Sequence, residues 1–215
     1  MLPIDAITLS VLWSALIAVA DDMGVTLRRT AYSAAVREGD DFSTGLFDAK
    51  GRLVAQGNFS PGHLGAMPYV VKHVLSHYEA TSFSPGDCVL LNDSFMGSGH
   101  YPDCFVTTPL FWQDQLIGYA VNCAHHVDMG GAVPGSQIVG VKEAFEEGLR
   151  ILPIKIAEKS VLREDVLRLI LGNVRLPQIV RGDLLAQRNT NAVAARRMAA
   201  LVDKYGLEAL ESGIE

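Results

Sequence analysis

The stretch from Leu91 to Gly131 constrains the fold of this chain most strongly. Within it, two apolar runs, Phe105–Phe111 and Leu116–Cys123, flank a short polar turn, and this pattern predicts a pair of antiparallel strands. A hairpin places its open ends side by side. We therefore expect Asp103 and His125 to be neighbours in space, although they lie 22 residues apart in the sequence.

Side chains that can bind a metal are concentrated at the open end of this predicted hairpin. His100 and Asp103 lie three residues apart before the first strand, and His125, His126 and Asp128 follow the second strand. Imidazole nitrogens and carboxylate oxygens bind divalent ions at about 2.0–2.2 Å. A mixed nitrogen and oxygen set suits Zn, Mn or Fe.

A fourth ligand has to come from another part of the chain, and we expect it to be one of the adjacent acids Asp40 and Asp41. The residue pattern alone leaves three interpretations open: a mononuclear metal site, a hydrogen-bonded core cluster, and a metal-free acid/base site. In the metal interpretation, Asp128 accepts the ring N–H of a ligating histidine. His126 then lies beside the site or in the following loop.

Three further residues have open roles. His63 either packs in the core or contacts substrate, and Arg37 pairs with a substrate anion or with Glu38. By contrast, His73 and His77 lie one helical turn apart without the glutamate of an HExxH motif. We expect these two on a solvated helix face.

The remaining patterns predict an α+β fold, with a mixed or antiparallel sheet whose hairpins pack against a long N-terminal helix and C-terminal helices. Helical spacing of apolar residues predicts the long helix over residues 4–33. The other expected elements are a hairpin over 43–48 and 52–57, a loop over 58–68, a helix opened by Pro68, a short helix near 141–147, a strand over 149–156, a helix over 160–172 and a longer helix over 178–205. We divide the chain into a metal-bearing catalytic domain, residues 1–175, and a helical segment, residues 176–215, that begins a region missing from this chain.

Composition excludes several classes of protein. The chain is 49% hydrophobic and 20% charged, which is typical of a globular domain with a real core. Its net charge is −6, and its lysines and arginines are scattered without a basic stripe, so we expect no nucleic-acid partner.

The cysteines and the apolar N-terminal segment indicate in which cellular compartment the protein is located. Cys88, Cys104 and Cys123 are widely spaced in strand-like runs, which indicates reduced thiols and a cytoplasmic protein. The apolar run Leu9–Ala20 is too short to span a bilayer and is followed by two aspartates. We therefore expect neither membrane insertion nor a secretion signal.

Several segments taken together resemble one known family. REGDDFSTGLFDAKGRLVAQ, GHLGAMP, LNDSFMGSGHYPD and NCAHHVDMGG, followed by PGS and EGLRI, occur in the order seen in the hydantoinase B/5-oxoprolinase family. That family includes N-methylhydantoinase B subunits, caprolactamase B subunits and related acetone carboxylase subunits. The resemblance covers nearly the whole chain. The family's subunits are longer, so the chain resembles their N-terminal part.

The resemblance implies a ligand set for one divalent metal, which we expect to be Zn, Mn or Fe. The ligands are Asp41 of the DFS segment, His100 and Asp103 of HYPD, and the first histidine of AHHVD, His125. His126 and Asp128 are then residues near the site.

The resemblance also implies an activity, the ATP-dependent hydrolysis of a cyclic amide such as hydantoin, N-methylhydantoin or 5-oxoproline. A partner A-type subunit would use ATP to phosphorylate the amide oxygen, and water would then attack the intermediate on this B-type chain. Glu38 and Asp128 are the candidates for carrying the proton. The alternatives are a subunit of an acetone-carboxylase-like ATP-dependent carboxylase, and an inactive fragment that only binds a partner or a small molecule.

Overall fold

The structure is a computed structural model that describes residues 5–214. Within these residues the chain folds around a seven-stranded sheet in the order β2-β1-β5-β4-β3-β6-β7. The strands are β1 Phe42–Asp48, β2 Leu53–Gln56, β3 Cys88–Leu91, β4 Asp103–Trp112, β5 Gln115–His125, β6 Ile154–Glu158 and β7 Val161–Leu162. The helices are α1 Ala6–Thr30, α2 Ala34–Arg37, α3 Pro61–His77, α4 Glu164–Leu171, α5 Pro177–Tyr205 and α6 Leu207–Ile214. Neighbouring strands pair in antiparallel fashion, and the predicted α+β class is confirmed.

The predicted central hairpin forms the middle of this sheet. Because side chains alternate along a strand, Phe105 and Cys123 face α3, where they pack with Met67. Val106 and the other even-numbered residues of β4 face the opposite side, against α5. Asp103 pairs directly with His125 in the strand register, as the hairpin predicted.

The long N-terminal helix is confirmed as α1. Its N-cap residue is Asp5, whose backbone is extended. The predicted helix also included Ile4, which lies outside the described residues. The inner face of α1 is buried, and Gly24 allows a close contact, because a Cβ there would lie 1.9 Å from the Phe59 ring. By length and composition alone, α1 is the one helix within residues 5–214 that could span a membrane. That is weak evidence, because buried helices of globular proteins pass the same test.

Two sequence predictions were wrong because local turn residues misled them. The loop expected over 58–68 is helical from Pro61, since proline suits the first helical position and Met67, in the second turn, is buried. Pro68, which we expected to open this helix, lies inside it. The helix expected from residue 160 begins instead at Glu164. Lys159 and Ser160 have φ values of 47° and 69°, so they form the tight turn of the β6–β7 hairpin.

Two other elements differ from their predicted bounds. The helix near 141–147 is only a single 3₁₀ turn over Ala144–Glu146, and the strand over 149–156 is β6, which begins later at Ile154. The long helix from residue 178 is confirmed as α5, and it lies across β4 and β5. The division of the chain at residue 175 stays a prediction.

A buried amide joins α5 to the hairpin. The side-chain nitrogen of Asn191 donates to the carbonyls of Val106 and Ala120, at 3.0 and 3.2 Å, and its oxygen accepts from the side chain of Asn122 at 2.7 Å. Asn191 is completely buried. A buried polar group left without its partner costs free energy, so this amide fixes the position of α5 on the sheet.

We expect Asn191→Ala to lower the free energy of unfolding by about 1–3 kcal/mol, because it leaves buried carbonyls and the Asn122 amide without partners. Urea unfolding measures the change. Asn189→Ala, on the exposed side of the same helix, is the matched control for helix propensity. Equal stability of the two variants would contradict this role of Asn191.

Candidate metal centre

The predicted ligands converge at the open end of the β4–β5 hairpin, on the side of the sheet that faces α3. Asp103 is the first residue of β4 and His125 is the last residue of β5. His100 lies in the turn before β4, which is closed by a hydrogen bond from the backbone N–H of Asp103 to the carbonyl of His100. Asp41 precedes β1, and its carbonyl accepts from the backbone N–H of His125 at 3.0 Å.

Three donor atoms lie in mutual contact at the centre of this cluster. Asp103 Oδ1 is 2.7 Å from His100 Nε2 and 3.0 Å from His125 Nδ1, and the two nitrogens are 3.2 Å apart. Atoms that share one ion at about 2.0–2.2 Å lie roughly 3–3.5 Å from one another. The triangle therefore fits the donor set of a divalent cation.

Of the two acids considered as a fourth ligand, Asp41 faces the cluster. Asp41 Oδ2 lies 3.9 Å from His125 Nδ1. Asp40 is turned away and forms a two-pronged ion pair with Arg28, at 2.6 and 2.7 Å. Asp41 is therefore the acid that lies beside the cluster, and its role as a fourth ligand stays a prediction.

His63 lies in the site, which the sequence left open. It comes from the first turn of α3, and its Nε2 is 3.4 Å from Asp103 Oδ2 and 3.7 Å from Asp41 Oδ1. Its Nδ1 is 3.4 Å from the hydroxyl of Ser43. His63 therefore contacts the outer oxygens of both acids and links them.

The charges of the cluster stabilise one another. Burial by itself raises the pKa of Asp103, but hydrogen bonds from His100, His125 and His63 outweigh it and hold that pKa well below its usual range. The hydrogen bond to Asp103 raises the pKa of His100, against a smaller opposing effect of burial. In the metal-free protein the cluster is thus an ionised acid among imidazole donors.

Gln137 is a site residue that the sequence analysis missed. Its side-chain amide lies 3.0 Å from His125 Nε2, the nitrogen that points away from the cluster. The sequence pattern had favoured Asp128 as this partner. The PGS segment, which Gln137 follows directly, was the available signal, but a loop residue gives no periodicity from which its direction could be read.

Asp128 instead supports the loop that carries Gln137. Its carboxylate accepts hydrogen bonds from the backbone N–H groups of Gly130, Gly135 and Arg175, and from the Arg175 guanidinium at 2.9 Å. Burial acts to raise the pKa of Asp128, but these hydrogen bonds lower it. A catalytic role for Asp128 stays a prediction.

His126 lies on the opposite side of the sheet from the cluster. Its Nε2 is 3.0 Å from Oε1 of Gln187, a residue of α5. The side chain is completely buried, and this burial lowers the pKa of His126. His126 therefore connects the end of β5 to α5, rather than facing the cluster.

The remaining candidates lie farther out. Arg37 and Glu38 have exposed side chains at the end of α2, and neither takes part in an ion pair within residues 5–214. Their predicted roles stay predictions. Cys123 lies beside His63 and Asp103, with the ligand atoms of the three residues within 4.8 Å of one another. Burial raises its pKa well above the usual range, which keeps the thiol protonated.

His77 is exposed and His73 is partly exposed, as expected for a solvated helix face.

The three cysteines are free and buried, as the sequence indicated.

We expect the stability of the metal-free protein to fall as the pH rises above about 6.5, the ordinary pKa of histidine. The folded state raises the pKa of His100, so its contribution is complete below that pH and is lost as the pH passes through the raised value. Urea unfolding in the presence of a chelator measures this. His100→Ala should flatten the dependence, whereas His77→Ala should retain it. An unchanged slope in His100→Ala would contradict the assignment.

Comparison with known proteins places this chain in a family. The hydantoinase B/oxoprolinase family profile matches residues 5–215. The chain is 35% identical over 216 residues to the B-type subunit of a putative D-/L-hydantoinase from Pseudomonas sp. (strain NS671), covering 99% of this chain and 36% of that protein. It thus spans little more than a third of the length of that relative.

Two solved structures share the fold. The ATP-dependent caprolactamase from Pseudomonas jessenii superposes with a TM-score of 0.88 at 32% identity, over 98% of this chain and 36% of that chain. A nucleotide-free acetone carboxylase superposes with a TM-score of 0.92 at 24% identity, over 98% and 28% of the two chains, and this second likeness speaks for the fold alone. From the match along its whole described length, the chain belongs to the hydantoinase B/oxoprolinase family.

Proposed function

We propose that this chain is the metal-bearing part of the B-type subunit of an ATP-dependent cyclic amide hydrolase. The observation that carries the proposal is the triangle of donor atoms from His100, Asp103 and His125, spaced at 2.7–3.2 Å. The names of the relatives, a putative hydantoinase and an ATP-dependent caprolactamase, support the reaction class. The substrate would be a small cyclic amide such as hydantoin, N-methylhydantoin, 5-oxoproline or a similar lactam.

Asp41, His100, Asp103 and His125 would hold the ion. Two imidazoles and two carboxylates suit Zn, Mn or Fe. When bound, such an ion lowers the pKa of water and stabilises negative charge on a tetrahedral intermediate. His63 would keep both carboxylates in place, since it contacts their outer oxygens.

Exposure indicates the side from which substrate approaches. The side chains of Asp103 and His125 are 8% and 9% exposed, whereas those of His100 and Asp41 are 33% and 44% exposed. The cluster is therefore buried on the strand side and open beside Asp41 and His100. Glu38, three residues before Asp41, is the predicted proton carrier that lies nearest in sequence to this open side.

ATP would be used on a partner A-type subunit. The carbonyl of a cyclic amide is a poor electrophile, because the ring nitrogen donates electron density into it. Phosphorylation of the amide oxygen by the partner would make the carbonyl carbon a better electrophile. The activated ring would then bind at the open face of the cluster. We place the complex in the cytoplasm, with no nucleic acid and no membrane involved.

We expect the purified protein to retain a single divalent ion per chain, which elemental analysis measures. His100→Ala and Asp103→Ala should lose the ion, because each removes one corner of the donor triangle. His77→Ala, on the exposed face of α3, is the matched control and should retain it. Metal-free wild-type protein after metal reconstitution would contradict the proposal.

The reaction is tested with the full-length B-type subunit and an A-type partner subunit. We expect ring opening of one of the cyclic amides to require ATP, the partner and the ion, and to be abolished in Asp103→Ala. ATP-dependent carboxylation of acetone instead would assign the chain to the carboxylase alternative. Bound metal with no ATP-dependent reaction on any of these substrates would favour a binding role only.

A further inference from the structure

The side chain of Gln137 approaches His125 from outside the cluster. Inside the cluster, His125 Nδ1 lies 3.0 Å from Asp103 Oδ1. The other ring nitrogen, Nε2, lies 3.0 Å from the Gln137 amide. The imidazole of His125 is thus held at both nitrogens, with one contact in the cluster and one outside it.

The loop before Gln137 is built to hold this contact, although the glutamine itself is exposed. Its neighbour Ser136 is buried, and the Ser136 hydroxyl accepts from the backbone N–H of Met129 at 2.7 Å and donates to the carbonyl of Gly130 at 2.8 Å. Arg175 fixes the same loop through Asp128 and through the carbonyls of Gly130, Gly131 and Val133. The loop before Gln137 is therefore held by hydrogen bonds that extend from the buried hydroxyl of Ser136 to the exposed contacts of Arg175.

A primary amide can serve both tautomers of a neutral imidazole. A neutral ring has one N–H donor and one acceptor nitrogen, and a glutamine offers both an NH₂ and a carbonyl oxygen, which exchange places by a half-turn. Without an ion, Nδ1–H donates to Asp103, and Nε2 accepts from the Gln137 NH₂. With an ion at the cluster, Nδ1 has to offer its lone pair, so Nε2 carries the proton and donates to the Gln137 oxygen.

We propose that Gln137 is a positioning residue that supports both tautomers of His125, and so allows the ion to bind without breaking the outer contact. This inference rests on the proposed metal centre. Polarisation by a cation makes the Nε2–H a stronger donor, so the hydrogen bond is worth more in the loaded state than in the metal-free state. A residue that can only accept would favour the loaded tautomer, and an apolar residue would favour neither.

The two substitutions at Gln137 are expected to change metal affinity in opposite directions. Gln137→Met should raise the dissociation constant by ~10–100-fold, because the loaded tautomer loses its acceptor. Gln137→Glu should lower it by about tenfold, because a carboxylate accepts from Nε2–H and disfavours the metal-free tautomer. Competition with a chromogenic chelator, using Zn²⁺ as the probe, measures both values in the purified protein.

Two control variants isolate this effect. Gln115→Met makes the same replacement at the exposed far end of the hairpin and should leave the affinity unchanged. Val139→Glu adds the same charge at a fully exposed position two residues from Gln137, so it measures the purely electrostatic gain. The gain in metal affinity from Gln137→Glu has to exceed the gain from Val139→Glu. Weaker binding in both Gln137 variants, or no change in Gln137→Met, would overturn the proposal.

A measurement on metal-free protein separates this proposal from the existence of the metal centre. Nitrogen-15 NMR of the His125 ring reports its tautomer directly. We expect Nδ1–H in the wild type and a shift towards Nε2–H in Gln137→Glu. A ring that keeps the same tautomer in both proteins would overturn the role of Gln137, whether or not the wild type binds an ion.

Discussion

The pairing of Asp103 with His125 across β4 and β5 is the constraint on which the rest of the site depends. The register of an antiparallel pair decides which residues face each other, and a slip by one residue would send one of the two side chains to the opposite face. In the observed register both point towards α3, with Asp103 Oδ1 3.0 Å from His125 Nδ1. His100, Asp41 and His63 are then added from three other segments around this fixed pair.

The opposite face of the sheet holds the register in place. The side chain of Gln187 donates to the carbonyl of Cys104 at 2.7 Å and contacts His126 at 3.0 Å, so one amide of α5 holds the residue after Asp103 and the residue after His125. One turn further along α5, the side chain of Asn191 joins the same two strands by donating to the carbonyls of Val106 and Ala120. Buried amides require partners at fixed positions, which apolar packing does not. This explains why the longest helix carries polar side chains on its buried face.

The sequence predicted the part of the site that local pattern encodes. Alternating apolar runs around a short turn were enough to place Asp103 beside His125, and the order of motifs selected Asp41, which the structure distinguishes from Asp40 through the ion pair of the latter with Arg28. His63 was not placed, because Gly62, Gly65 and Pro68 indicated a loop where burial of Met67 stabilises a helix. Gln137 could not be predicted from the sequence, because its loop is shaped by Asp128 and Arg175, which lie 47 residues apart.

A crystal structure of the protein loaded with Zn²⁺, with anomalous scattering recorded at the zinc edge, tests the central claim most directly. We predict one anomalous peak about 2.0–2.2 Å from Asp103 Oδ1, His100 Nε2 and His125 Nδ1, with Asp41 as the remaining protein ligand. A hydrogen-bonded cluster without a peak, or imidazoles of His100 and His125 that point away from each other, would contradict it.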